Sequence, residues 1–283
     1  MMATRTRPYS LLDYYFTSVA VGLKSLLGRH PREAAARVAN PLSYPRFMEY
    51  QLTIDELEPL DGCRVLDIGS PKLPILLLAR NSRCELYATD IRDYFIASMA
   101  DFLQRLGCGQ RLGRTIHLEV QDARQFSYPD AFFDRIFSIS VLEHIPDGGD
   151  SEAIREIARV LKPGGVVTLT VPFAGRGYSE EFIAGPVYER GAQDGPTFYQ
   201  RRYDLASLHR RLIGPSGLIL QRLTFFGEPR VPFERYWNRV SMRWKLPLLW
   251  AQPFLAKLFL KRLTAEQLDV ACGVALKLAK PLP

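Results

Sequence analysis

The chain has 283 residues, 47% hydrophobic and 24% charged, a balance that supports a packed core and excludes a long disordered polypeptide. Cys63, Cys84, Cys108 and Cys272 lie far apart, with no C-x-x-C pair and no histidine at ligand spacing, so no zinc site or disulfide framework is expected; they read as free thiols of a cytoplasmic protein. The net charge of +7 is concentrated: residues 222–262 carry nine basic side chains against two acidic ones, and all three tryptophans, while the rest of the chain is neutral.

Behind Ser10 as an N-cap, Leu11, Leu12, Tyr15, Phe16, Val19, Leu23, Leu26 and Leu27 recur at helical spacing. Asp13 and Lys24 interrupt the stretch and no small-residue cleavage site follows, so it reads as an amphipathic helix and not as a secretion signal. Such a helix either covers the domain or lies on a lipid surface. A second short helix starts at Pro31 and stops at Asn40-Pro41, and a turn over 41–47 leads into a third helix.

Apolar strands then alternate with helices. Arg64-Val65-Leu66-Asp67-Ile68 is a strand, closed by a tight turn at Gly69 and followed by an apolar helix start. A strand over 85–90 ends on Asp90 and feeds a helix over 93–106, capped by Asp93; a strand over 115–120 precedes Asp122. A fourth strand over 133–140 runs into Leu142-Glu143-His144-Ile145, a helix over 151–161 is capped by Ser151, and Pro163-Gly164-Gly165 leads into a strand over 166–171. This alternation predicts an α/β doubly wound, mainly parallel sheet with helices on both faces. Ligands bind such a sheet beyond the carboxyl ends of its strands, where Gly69, Asp90, Asp122 and Ser140 fall.

Residues 173–199 are rich in glycine and aromatics, Tyr178 among them, and lack periodicity, as a lid or specificity loop does. A helix over 204–213, capped by Asp204, and strands over 218–226 and 270–279, the last antiparallel, bring the sheet to seven strands. Between these strands, residues 246–260 are too short and too broken by Pro247, Pro253 and Lys257 to span a bilayer. Tryptophans among arginines, lysines and leucines there suit an anionic membrane interface, a substrate cap or a dimer surface. The expected organisation is an N-terminal helical cap (1–49), a core (50–226), a basic, tryptophan-rich insertion (227–269) and a final core strand (270–283).

In its strand-end acids, Leu-Glu-His segment and Leu-Lys-Pro-Gly-Gly segment, the stretch over 50–226 resembles the class I S-adenosylmethionine (SAM) dependent methyltransferases, within them the type 11 small-molecule branch, whose fold is Rossmann-like. The resemblance implies SAM as cofactor, with Asp67, Gly69 and Ser70 beside its methionine part, Asp90 and Ile91 at the ribose, Asp122 and Ala123 at the adenine, and Ser138 and Ser140 lining the methyl-donor cavity. Pro71 and Leu73 stand where the family loop usually has glycine, which implies a stiffer loop. Tyr44, in a segment that closes over SAM in related enzymes, Tyr178 in the loop and Tyr203 before the following helix are substrate-side candidates.

Methyl transfer from a sulfonium depends mainly on proximity and orientation, and a hydroxyl acceptor gains from a general base, for which His144 is the candidate. The expected function is SAM-dependent methylation of a small, apolar or lipid-linked acceptor by a cytoplasmic protein that can associate with membrane through 222–262. The competing reading is a silent methyltransferase fold serving as a scaffold at a membrane surface. The absence of an N/D-P-P-Y/F tetrapeptide after the fourth strand speaks against a nucleic-acid substrate, and the absence of G-x-G-x-x-G after the first against a nicotinamide enzyme.

Overall fold

The computed structural model describes residues 9–69, 73–185 and 195–283. Short apolar runs give the strands β1 (Arg64–Ile68), β2 (Glu85–Asp90), β3 (Ile116–Val120), β4 (Phe133–Ile139) and β5 (Leu161–Pro172), and later β6 (Ser179–Ala184), β7 (Pro196–Arg202), β8 (Ile219–Gly227), β9 (Lys261–Arg262) and β10 (Ala271–Ala279). The helices are α1 (Leu11–Ser25), α2 (Pro31–Ala39), α3 (Arg46–Ile54), α4 (Leu73–Asn81), α5 (Asp93–Arg105), α6 (Gly149–Val160), α7 (Leu205–Leu208), α8 (Gly214–Ser216), α9 (Phe233–Arg239), α10 (Met242–Lys245) and α11 (Gln252–Phe259).

The main sheet has the order β3-β2-β1-β4-β5-β10-β8-β9, with β1 to β5 parallel and β10 antiparallel to both its neighbours. This is the doubly wound α/β fold. It holds eight strands where seven were expected, because Lys261 and Arg262 of the insertion pair with Gly227 and Phe226 at the end of β8. The chain runs outward from β1 through β2 and β3, then returns to begin β4 on the other side of β1, so the switch point lies between β1 and β4.

Buried apolar side chains cover both faces of the sheet. Leu11, Tyr14 and Val21 of α1 share one core with Tyr50 of α3, the leucines of α4, and Phe102 of α5. On the other face Ala153, Ile154, Ile157 and Val160, spaced at helical period along α6, pack with Leu208 and Leu212. The N-terminal helices therefore belong to the main core, and α3 runs unbroken through the expected boundary at residues 49 and 50.

Several local expectations shift. β5 begins at Leu161, not at 166: Leu161 pairs with Phe133, the chain bulges over residues 162–165, where Pro163 offers no N–H and Gly164 takes a φ of +75°, and pairing resumes at Val166. α6 starts at Gly149, not at Ser151, because Gly148 turns the chain with a φ of +81°. Asp93 is the first residue of α5 and not its cap. Ser10 and Asp204 do cap α1 and α7, each in a reciprocal capping box. The segment expected to be irregular holds a hairpin, β6 with β7, tied by Arg202 and Gln200 to Glu181. Its β6 buries neither face, so no alternating apolar pattern marked it in the sequence.

A buried acid fastens this hairpin to the core. Asp150, fully inside α6, accepts from the Tyr203 hydroxyl at 2.8 Å and from two nitrogens of Arg211 at 2.8 and 2.7 Å, with the buried Arg201 beside it. Removing the carboxylate takes from Arg211 both of its carboxylate bonds and leaves the buried Arg201 with Glu180 alone, at 3.3 Å. Asp150→Ala is expected to lower stability by about 3 kcal/mol or more in urea titrations, and a change below about 1 kcal/mol would show that the network contributes little.

Candidate functional site

A cavity of about 770 Å³, within the usual size range of small-molecule sites, opens where β1 to β4 end. Its floor is the switch point. Gly69 leaves β1 with a φ of +58°, a left-handed conformation that glycine adopts most easily, and a Cβ there would come 3.0 Å from Cγ1 of Val141, which would have to give way. Ser140 also has a positive φ, +52°, rare for a residue with a side chain. This turn aims its hydroxyl at Glu49 of α3, which accepts at 2.8 Å.

Three carboxylates end three adjacent strands on the cavity wall. Asp67 is buried within β1, Asp90 closes β2 and accepts the backbone N–H of Arg92 at 3.0 Å, and Asp122 follows β3. Asp122 binds the Arg124 guanidinium at 2.6 Å and the Arg124 backbone N–H at 2.9 Å. Gly69, Ile91, Ala123, Ser140 and His144 share the same wall. Ile91 projects largely into the open, offering an apolar surface next to Asp90.

His144 sits in the turn after β4, where its Nδ1 lies 2.7 Å from the Tyr199 carbonyl of β7. A carbonyl can only accept, so Nδ1 carries a hydrogen, and in the neutral ring Nε2 holds the lone pair. Nε2 is 3.7 Å from Glu143 Oε1. Glu143 is wholly buried, and this burial, reinforced by Glu49 and only partly offset by Arg46, pushes its carboxyl up to about 8. Arg46 pairs in turn with Glu49 at 2.7 Å. Two carboxyls, one guanidinium, one hydroxyl and one imidazole are thus packed together at the base of the cavity.

Four of the residues expected at the site have other placements. The Ser138 hydroxyl is buried and donates to the Ile68 carbonyl between β4 and β1. Tyr44 is buried away from the cavity: its ring packs on Phe233 and its hydroxyl donates to Glu228, both in the C-terminal third of the chain. Burial, with Glu228 beside it, raises that phenol far above its ordinary range. Tyr203 points inward to Asp150, and Tyr178 packs edge-on against Tyr203 under Arg211. Ser70 and Pro71 lie outside the described residues, while Leu73 opens α4 and reaches the wall. Sequence reading missed the base-layer acid Glu49 and the apolar stripe Phe95, Ile96 and Met99 of α5. The stripe had a signal, being the first turns of the helix that directly follows Asp90; Glu49 had none, since its partner is 91 residues away.

A methyltransferase-domain family model, type 11, matches residues 66–169, from within β1 to within β5, and so covers the switch point and all three strand-end acids. Over residues 66–169 the chain is similar to the methyltransferases of the type 11 family. Methyltransferase GfsG of Streptomyces halstedii is 30% identical over 112 residues, 39% of this chain and 38% of that protein. The sterol 24-C-methyltransferase of Eremothecium gossypii is 31% identical over 134 residues, 47% of this chain and 34% of that one. The match thus spans little more than a third of each relative's length. Among solved structures, the [4+2]-cyclase SpnF superposes with a TM-score of 0.54 over 86% of this chain and 85% of that chain at 20% identity, a likeness of fold alone. Among the described residues no cluster of His, Cys, Asp or Glu suits a metal ion, and the four cysteines are free.

Glu143 gives the fold a pH signature. A carboxyl whose folded value is raised stabilises the fold most below its ordinary value near 4.5 and loses that contribution as pH climbs to about 8. Glu143→Gln, which mimics the protonated form, should therefore gain stability relative to wild type between pH 5 and pH 8. Urea midpoints measured across that range check this, and parallel curves for the two proteins would refute the raised value.

Proposed function

We propose that this methyltransferase transfers the methyl group of SAM to a small, apolar or lipid-linked acceptor. The observation that carries the reading is the convergence of Asp67, Asp90 and Asp122, from three strand ends, on one cavity that opens beyond the glycine turn at Gly69. The donor set suits the cofactor. A carboxylate at the end of the second strand accepts from ribose hydroxyls, Ile91 and Ala123 offer apolar contact to the adenine on either side, and Asp122 accepts from its amino group once Arg124 gives way. Asp67 and the Gly69 turn would hold the methionine end. Bound SAM supplies a sulfonium-activated methyl group.

The chain's own part is to orient the acceptor, exclude water and take up a proton. His144, with Nδ1 committed to the Tyr199 carbonyl, presents Nε2 as the base for a hydroxyl acceptor, and Ser140 and Glu143 shape the space around it. An apolar acceptor is supported by the α5 stripe on the cavity wall and by the relation to a sterol methyltransferase. The basic insertion supports contact with an anionic membrane. No helix among the described residues is long and apolar enough to cross one, so such contact would be at the surface.

Calorimetric titration with SAM tests the reading. Asp90→Ala, which deletes the acceptor of charge-assisted hydrogen bonds, should weaken binding at least about tenfold. Unchanged affinity in the folded variant would sink the ribose assignment. Millimolar SAM should also raise the melting temperature of the wild type by mass action, and no shift would leave the scaffold reading in its place.

A further inference from the structure

α1 is an amphipathic helix turned the wrong way round for a part of the core. The side it buries is largely small or polar: Thr17, Ser18, Gly22 and Ser25, together with Leu11, Tyr14 and Val21. The small residues let α2 come close, since a Cβ on Gly22 would meet the Ala34 carbonyl at 2.8 Å. The opposite side carries Leu12, Phe16 and Leu23, which are 48, 61 and 55% exposed, and the turn after the helix adds Leu26 and Leu27, 38 and 100% exposed. Their spacing sets them on a single stripe about a quarter of the helix wide, and water is a costly environment for a stripe of that composition.

The stripe continues into the insertion. Tyr15, beside Phe16 on α1, meets Phe254 of α11 with ring centroids 5.6 Å apart, and Trp250 packs edge-on against Phe254 at 6.5 Å. Beyond these, Trp244, Leu246, Leu248 and Leu258 are all about half exposed or more. The surroundings are of one sign: from Arg235 to Thr264 there are seven basic residues and no acidic one.

We propose that α1 and the insertion form one bilayer-docking surface for membranes with anionic headgroups, α1 lying in the plane of the interface and supplying the apolar, salt-resistant half of the contact. The inference rests on the reading that the insertion meets an anionic membrane and extends it to a second, distant part of the sequence. Charge complementarity selects this occupant over a second copy of the chain, because pairing two faces of this kind would bring their cations together. The arrangement also sets α2, whose Glu33, Arg37 and Asn40 line the cavity, immediately behind the surface.

The full chain is tested with vesicles of phosphatidylcholine containing phosphatidylglycerol, at low and at physiological salt. The double variant Phe16→Ser/Leu23→Ser alters exposed positions only, and circular dichroism checks its fold. It should lose binding at least about tenfold, most clearly at physiological salt where charge is screened. Arg239→Glu/Arg243→Glu should lose mainly the salt-sensitive part. If the charge variant weakens binding and the α1 variant does not, the present inference falls and the reading of the insertion survives. If the wild type ignores anionic vesicles at low salt, both fall, and a dimer in sedimentation velocity that the α1 variant dissolves would name a second copy as the cover.

Discussion

The direct parallel pairing of β1 with β4 at the switch point is the constraint on which the rest of the molecule turns. Where these strands end, Gly69 takes a left-handed backbone and leaves room against Val141, which a β-carbon would crowd at 3.0 Å. That proximity brings the acid of β1 and the turn after β4 to one floor. The winding order of the sheet then adds Asp90 and Asp122 from successive strands on one side and His144 from the other. The acids of β1 and β2 are therefore held by sheet geometry, which is stiff, while Asp122 and His144 stand on the turns that directly follow β3 and β4.

Beneath that floor lies a layer that departs from ordinary polar burial. Glu49 and Glu143 are both inside the protein with Arg46 as the near cation, and burial raises the Glu143 carboxyl well above its ordinary range. Ser140 adopts an unfavourable backbone conformation within this layer. Strained backbone and perturbed ionisation together mark places where structure gives up stability for chemistry, and here both border the imidazole of His144.

What the sequence made legible was whatever depends on neighbours along the chain. The strand-end acids, the caps at Ser10 and Asp204, the helix period of α6 and the alternation of strands and helices are set by residues a few positions apart. The hairpin of β6 and β7 was hidden because it contributes no apolar face. Tyr44 and Tyr203 were candidates through the segments they share with the family and Tyr178 through its place in the loop, yet each is turned elsewhere by a partner that only the folded chain brings near: Glu228, Asp150 and Tyr203 respectively. The direction of α1 was ambiguous for the same reason, since periodicity defines a stripe and the fold decides which stripe faces in.

The tie at Tyr44 divides the cavity into halves with different freedom to change. Its backbone N–H donates to Gln252 and its hydroxyl to Glu228, so the turn that carries Pro41, Leu42, Ser43 and Arg46 along the cavity rim is braced from the insertion. The opposite half stands on strand ends and owes nothing to that segment. Over evolutionary time the insertion can be lengthened, shortened or recomposed, and the rim will be remodelled with it while the strand-end acids stay in register. A lineage built on this frame can diversify one side of its pocket without renegotiating the other.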